Sequence, residues 1–412
     1  MTKKLIVLAS FLASTAAGAA SELTNSAELR FRLNHNMNSG LVKDRTNTDW
    51  AHRLKWDMGY KAGEKLTGNV SLIHNNMWGF DDGESVMGDR SDDNQFVINQ
   101  AYATWMLAND MSVVVGRQPI EFGDGTLFHL NDWEAQPYSF DGIGVNYDTE
   151  FAAVNFWGVK MYDFGQSRTA APATDTDDDE RNLYIFSIDV KNMPDFLKML
   201  NIHIIKDAAS SLAAGGGGTN VVNTGDRVDT TQLGFTLQGE SGQTDYRLTY
   251  SMVTGEQETP AGAKSDVSTS MMDAAVGFKV ESFRNSRFEL AYHTDTGTDS
   301  SGDVTLYSPL FYDMHGSAGM MDIVTWGNST YMKLGWMFEL MANTMAGLDY
   351  YQFSLTEAAG ADDVGSEIDF YTTKNYDNGI AVTARLGMFT PGDALASDET
   401  QTQVFVEGKF TF

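Results

Sequence analysis

The segment QTQVFVEGKFTF, residues 401–412, has the alternating pattern of a β-strand. Apolar Val404, Val406, Phe410 and Phe412 occupy every second position except Gly408, and polar residues stand between them. Such a strand has one apolar and one polar face. At the edge of a sheet in water it would expose an aromatic end and unpaired backbone groups. The segment therefore indicates a strand paired on both sides, whose apolar face meets lipid.

The first twenty residues, MTKKLIVLASFLASTAAGAA, have the three-part layout of a secretory signal peptide. Two lysines precede an apolar run from Leu5 to Ala13, and small residues follow up to Ala20. The apolar run is far shorter than the ~20 residues that a bilayer helix needs. We therefore predict a signal peptide over 1–20, cleaved after Ala19 or Ala20, and one exported domain over 21–412.

The composition excludes several classes of protein. The net charge of −28 makes nucleic acid an implausible partner, because its phosphates require a basic surface. The absence of cysteine excludes a disulfide framework and thiolate chemistry. Glycine is frequent, proline is scarce, and no charged or proline-rich linker divides the chain, which favours a single all-β unit.

Alternating segments of the length of a membrane-spanning strand recur along the whole chain. Clear examples are WAHRLKWDMGY at 50–60, YMKLGWMFEL at 331–340 and GIAVTARLGMF at 379–389. We count about eighteen such segments, and most match the ~9 to 11 residues of a transmembrane β-strand. The repeated pattern predicts a membrane-spanning sheet.

Short and long connections alternate between these segments. AGEK at 62–65 and ESG at 240–242 are turn-like, whereas the connections near 119–137 and 296–329 are long. A soluble sandwich or propeller has no such alternation. We therefore predict an all-β, antiparallel, up-and-down transmembrane barrel of about eighteen strands with periplasmic termini, in the bacterial outer membrane.

The last strand is predicted to pair with the first and close the barrel. Phe410 and Phe412 then meet lipid at the periplasmic rim. Terminal phenylalanine is the ending seen in outer-membrane barrels generally, so these two residues are the predicted signal for the barrel-insertion machinery. Aromatic residues near other strand ends are predicted to lie at the bilayer interface; they are Trp50, Tyr60, Tyr138, Tyr162 and Phe389.

Strand parity separates apolar from charged residues. Leu334, Trp336 and Phe338 share one face, and Lys333 and Glu339 share the other. A dry core could not hold so many charges, so the charged faces predict a water-filled lumen. Charged groups in a pore wall select ions and small solutes. The predicted pore-lining or solute-binding residues are Arg30, Arg32, Arg53, Lys55, Arg117, Arg247, Lys279, Arg287, Lys333, Arg385, Glu289, Asp349, Glu367 and Asp369.

Two of the long connections are rich in carboxylates. One cluster comprises Asp81, Asp82, Glu84, Asp89, Asp92 and Asp93, and the other comprises Asp175, Asp177, Asp178, Asp179 and Glu180. Either these are solvated loops kept soluble by repulsion, or they bind Ca²⁺ or Mg²⁺ loosely between the loops and lipopolysaccharide. Neither cluster has the spacing of a dedicated metal site, and no cofactor is predicted.

The segment GRQPIEFGDGTLFHLNDWEAQPYSFDG, residues 116–142, resembles the alginate-export family of outer-membrane barrels. Further resemblances are PLFYDMHG at 309, WGNSTYMKLG at 326, GSEIDFYTTKNYDNGIAV at 365 and FTPGDAL at 389. The resemblance implies a passive channel, or porin, for ions and small hydrophilic or anionic saccharide solutes. The connection between Gln118 and Phe140 either folds inward, with Arg117 at its root, or is an ordinary outer loop.

Two other functions compete with a channel. The chain has seven histidines but neither an HExxH nor a GxSxG motif, so no zinc site or nucleophile elbow indicates a barrel-borne lipase or protease. We therefore expect no enzyme activity. An adhesin or receptor role of the loops is compatible with a channel and has no sequence signature.

Overall fold

A computed structural model describes residues 21–78, 96–164, 179–209, 227–258, 262–299, 302–313 and 315–412. The predicted signal peptide and the acidic clusters at 81–93 and 175–178 lie outside these residues. The described strands are β1 Ser21–Met37, β2 Thr46–Ala62, β3 Leu66–Met77, β4 Val97–Ala108, β5 Met111–Gln118, β6 Phe140–Asp148, β7 Ala152–Phe164, β8 Asp179–Val190, β9 Leu197–Ala209, β10 Arg227–Ser241, β11 Thr244–Glu258, β12 Lys264–Val280, β13 Ser286–Asp295, β14 Ser329–Met341, β15 Thr344–Leu355, β16 Asp363–Asn375, β17 Ile380–Pro391 and β18 Gln401–Thr411. Among the residues that the structure describes, no helix is long and apolar enough to cross a membrane.

The strands form one closed antiparallel sheet. Each strand pairs with its neighbours in the chain, and β1 also pairs with β18. At the seam, the Phe412 N–H donates to the Ala27 carbonyl at 2.9 Å, and the Ala27 N–H donates to the Phe412 carbonyl at 3.2 Å. Closure removes both sheet edges, as a membrane requires. The predicted eighteen-stranded barrel, closed by its last strand, is confirmed.

One end of the barrel carries the short turns. The turn at 242–243 has Gly242 at φ 60°, a conformation that glycine adopts without steric cost. At the other end the predicted alternation of connection length fails once. The connection between β11 and β12 spans only 259–263 and is no longer than the turn at 191–196. The ladder between these two strands continues to the Glu258–Lys264 pair, so strand replaces most of the predicted loop.

The two faces of the sheet differ as the alternation predicts. On β14 the Leu334 side chain is 57 % exposed on the outward face, while Lys333 points inward and contacts Glu289 and Asp349. Of the predicted interface aromatics, Trp50 is outward and exposed. The prediction is wrong for Phe389, which has the inward parity of its strand and is fully buried.

The apolar core lies inside the barrel and is supplied by two connections. We call residues 119–139 the first inward loop and residues 302–328, described except for 314, the second inward loop. Tyr138, also predicted at the interface, instead packs inside against Phe311, with ring centroids 5.2 Å apart. Both loops bury aromatic residues against inward-facing side chains of the strands. The lumen therefore contains two packed loops.

Candidate functional site

The first inward loop enters the barrel because its apolar residues find an apolar stretch of wall. Ile120, Phe122 and Phe128 are buried against inward side chains of β7–β9, which include Leu183 and Ile185. These wall positions have the inward parity that carries charges on many other strands, so this part of the lumen wall is apolar. Burying large apolar side chains there stabilises the docked loop by about 1.5–3 kcal/mol each.

Arginines on the opposite wall hold the tip of this loop. Arg30 and Arg53 are cross-strand partners in the β1–β2 ladder, where two like charges would repel. Both donate to the same two carbonyl oxygens of the loop, those of Asp132 and Glu134, over 2.8–3.1 Å. The five fixed N–H donors of a guanidinium suit such a cluster of backbone acceptors. These carbonyls, with Glu28 2.6 Å from Arg53, make the neighbouring charges tolerable.

The second inward loop is held by carboxylates. Glu367 and Asp369 lie two positions apart on β16 and therefore share its inward face. Glu367 Oε1 accepts the backbone N–H groups of Met320 at 2.7 Å and Met321 at 3.1 Å. Gly319, at φ 90°, precedes these donors, and a Cβ atom there would lie 2.4 Å from Glu367 Oε1. The close approach therefore requires glycine.

Aromatic packing completes the second anchor. Tyr307, Tyr312, Met321 and Trp326 are buried in one cluster with Phe353 of β15. Burial raises the pKa of the loop residue Tyr312 to about 12. The phenol therefore stays neutral at physiological pH, and the cluster packs without a buried charge.

The two inward loops contact each other in the lumen. Phe128 and Phe311 form a parallel bridge. Nearby, the His315 ring stacks on Trp133 with centroids 3.5 Å apart, and the Arg32 guanidinium carbon lies 3.7 Å from the same indole centroid. Two groups so close to one ring must cover its opposite faces. His315 also contacts the Arg385 guanidinium. A continuous series of contacts thus crosses the lumen from wall to wall.

A polar cavity remains beside this contact, against β1, β2 and β18. Its volume is about 170 Å³. Wall and loop residues line it: Arg32, Asn34, Asp49, Ala51, Trp133, Glu134, Met320, Asp322, Gln403 and Phe405. Partial burial, followed by the charge of Asp322, raises the pKa of the Glu134 carboxyl, and Arg32 and Arg30 oppose the rise. The cavity is therefore small and lined by charged groups.

Nearly all predicted pore residues lie on the inward face. Arg30, Arg32, Arg53 and Arg385 surround the first loop tip, while Glu367 and Asp369 hold the second loop. The others form ion pairs along the wall: Lys55 with Asp57, Arg247 with Asp273, Lys279 with Glu240, Arg287 with Asp245 and Glu289, and Lys333 with Glu289 and Asp349. The wall is thus internally paired.

The prediction is wrong for Arg117. It has the parity of Val115, which is exposed on the outward face, whereas Gln118 is buried inside. Arg117 pairs with Asp141 at 3.0 Å, and both side chains are substantially exposed. The run Val113–Val115 is apolar on both faces, so it gives no parity from which the direction of Arg117 could be read.

Sequence reasoning missed the carboxylates of the cavity. Asp49 and Arg53 are four positions apart on β2 and therefore point to the same face. This shared parity could have predicted that Asp49 faces the lumen. Glu134 and Asp322 belong to connections without periodicity, so nothing local predicts their position. Among the described residues, no group of three or more His, Asp or Glu is placed to hold a metal ion.

A closed barrel with an apolar outer face, a charged inner face and two constricting loops defines an outer-membrane channel of the porin class. The chain belongs to the alginate export family, whose model matches residues 21–408. Family membership supports an outer-membrane channel. A comparison with curated proteins gave no match.

Solved structures of Pseudomonas aeruginosa channels have the same fold. The outer-membrane protein OpdK is 11 % identical, with a TM-score of 0.64 over 95 % of this chain and 99 % of that one. OpdK with vanillate gives a TM-score of 0.61 at 11 % identity, over 94 % and 99 % of the two chains. OccK11 (OpdR) gives 0.61 at 10 % identity, over 94 % and 96 %. At these identities the likeness concerns the fold alone.

Proposed function

We propose that the protein is a passive diffusion channel whose two inward loops limit passage to small hydrophilic solutes. The observation that carries this proposal is the loop-to-loop contact between Trp133 and His315, whose ring centroids are 3.5 Å apart inside the barrel. Because the first loop is fixed to the wall at β2 and the second at β16, we expect the passage beside them to be narrow and polar, like the cavity between them and the wall. We therefore expect an extended saccharide polymer to be excluded.

Family membership makes alginate-type uronates the first solutes to test. Guanidinium groups at the first loop tip favour carboxylate-bearing solutes, but loop carbonyls and Glu407 already accept hydrogen bonds from Arg30, Arg32 and Arg53. Small mono- or disaccharides therefore fit the proposal better than polyuronate chains. Fold and family favour transport without chemistry on the solute.

The test combines conductance in planar bilayers with liposome swelling in neutral and uronic sugars of increasing length. We expect stable single channels and swelling rates that fall steeply between monosaccharides and tetrasaccharides. Equal passage of long oligouronates would contradict the size limit. Hydrolysis of lipid or peptide substrates by the purified barrel would contradict a purely passive role.

Delivery to the membrane is part of the same proposal. A signal peptide over 1–20 exports the chain to the periplasm, and Phe410 and Phe412 direct it to the barrel-insertion machinery. The acidic outer loops hold lipopolysaccharide loosely through Ca²⁺ or Mg²⁺. Cell fractionation of a variant without residues 1–20 tests export, because the protein should then stay in the cytoplasm.

A further inference from the structure

The cavity beside the loop contact contains a carboxylate without a cation. Asp49 is 6 % exposed, and its Oδ2 atom accepts one hydrogen bond, from Asn47 Nδ2 at 2.7 Å. Within the described residues, no Lys, Arg or His lies within 4.0 Å of its oxygens. A buried carboxylate with a single neutral donor is costly unless a ligand or water supplies further donors.

Two more acceptors line the same cavity without a donor. Glu134 forms no salt bridge and no side-chain hydrogen bond among the residues that the structure describes, although its backbone carbonyl binds arginine. Asn34 Oδ1 is buried without a hydrogen-bond partner. The third carboxylate of the cavity, Asp322, is already engaged with His315 Nδ1 at 2.9 Å. The cavity therefore has a shortage of donors around Asn34, Asp49 and Glu134.

The group that would satisfy these acceptors is a small cation with several N–H donors. A primary ammonium has three donors and no acceptor, which suits the unpartnered Asn34 Oδ1 and two carboxylates that together accept one side-chain hydrogen bond among the described residues. A hard metal ion would require six or more oxygen ligands, and no such cluster is present among the described residues. Arg32 lines the cavity but donates no hydrogen bond to these acceptors, because its Nε and Nη1 atoms donate to Glu407 and to the Trp133 carbonyl.

We propose that this cavity is a binding subsite for the protonated primary amine of a small hydrophilic solute, with Asn34, Asp49 and Glu134 as acceptors. This inference deepens the proposed channel function by naming a solute class, the amine-bearing solutes. It distinguishes this barrel from a carrier of purely anionic saccharides. A bound ammonium would lie between the β1–β2 wall and the tip of the first inward loop.

The test is calorimetric titration of the detergent-solubilised barrel with glucosamine and with glucose, which differ at one substituent. We expect glucosamine to bind and glucose to bind at least about tenfold more weakly, since a hydrogen bond to a charged group contributes roughly this factor. N,N,N-Trimethylglucosamine keeps the charge but lacks the donors, and it should bind as weakly as glucose. Equal binding of all three sugars would overturn the proposal.

Two variants locate the subsite. Asp49→Asn and Glu134→Gln should each weaken glucosamine binding about tenfold, and Glu134 lies outside the strands that close the barrel. Asp393→Asn, in the connection between β17 and β18, is the matched control and should bind as the parent does. Unchanged affinity in both cavity variants would refute the assignment.

Conductance of the same preparations separates this inference from the channel function. Glucosamine binding by a barrel that forms no channels would contradict the proposed function and leave the subsite standing. Normal channels in a barrel that does not distinguish glucosamine from glucose would contradict the amine subsite and agree with the channel function.

Discussion

Arg32 holds both the backbone and the side chain of Trp133. Its Nη1 atom donates to the Trp133 carbonyl at 2.6 Å, and its guanidinium carbon lies 3.7 Å from the centroid of the indole ring. A planar guanidinium can form both contacts at once, whereas a lysine ammonium could not reproduce the stacked plane. The tip of the first inward loop is therefore fixed in position and in orientation by the wall of the barrel.

Removing the neighbouring guanidinium should release this loop. Arg53 is fully buried and donates to two loop carbonyls and to Glu28, so Arg53→Gln should weaken loop docking by about 3 kcal/mol. We expect higher and noisier single-channel conductance in planar bilayers. Arg117→Gln is the matched control, because Arg117 forms an exposed pair on the outward face. If Arg53→Gln conducts like the parent, the loop does not set the size of the passage.

A single added methyl group should disturb the second inward loop. Gly319 and Gly302 have the same φ of 90°, but a Cβ atom meets Glu367 at 2.4 Å in the first and nothing within 4 Å in the second. Both alanine variants carry the same backbone strain, so their difference measures the clash, which we expect to cost about 1–3 kcal/mol. Limited proteolysis of 302–328 should be faster in Gly319→Ala. Equal proteolysis rates in Gly319→Ala and Gly302→Ala would show that the Glu367 side chain moves to accommodate the added methyl group.

The seam of the barrel should depend on the terminal aromatic ring. Phe412 is 72 % exposed at the seam, and Phe151 is 70 % exposed in a short turn. The two side chains are equally exposed but lie at different sites, so Phe151 is the matched control. We expect Phe412→Ala to reduce the heat-modifiable, membrane-inserted fraction several-fold in cells, and Phe151→Ala to leave it unchanged. The measurement is the shift on unheated gels. Normal insertion of Phe412→Ala would remove its role as an insertion signal.

Amine binding should be lost on acidification. Glu134 accepts an ammonium only when ionised, so binding is present above its pKa and lost as the pH falls through it. Burial and Asp322 raise this pKa against Arg32 and Arg30, so the loss should begin above the usual range of a glutamate. A bound cation lowers the pKa, and glucosamine binding should therefore release protons near this pH.

Titration in two buffers of different ionisation enthalpy measures that release. Glu134→Gln should abolish the part of the proton release that this carboxyl contributes. Binding of equal strength from neutral pH to pH 4 would contradict a role for the carboxylates.

The strands and their faces could be predicted because each depends on local alternation. Lys333 and Leu334 show the two faces directly, and the same parity places Glu367 and Asp369 inward. The inward course of the loops could not be predicted in this way. It depends on contacts such as Arg53 with Asp132, 79 residues apart, which leave no periodic pattern.

The amine subsite could not be predicted for a different reason. Asp49 and Glu134 are ordinary acids in the sequence, and what distinguishes them is the shortage of donors around them in space. A sequence states which groups can donate or accept, but not which of them remain without a partner after folding.

The contacts across the lumen also give the barrel a mechanical property. From Leu183 on β8, through Phe128 and the tip of the first inward loop, to Arg53 on β2, packed groups connect distant parts of the wall across the lumen. Packed protein interiors are barely compressible and transmit strain. Flattening of the barrel by lateral pressure in the bilayer must therefore displace the loop tips, so the tension and thickness of the surrounding membrane bear directly on the width of the passage.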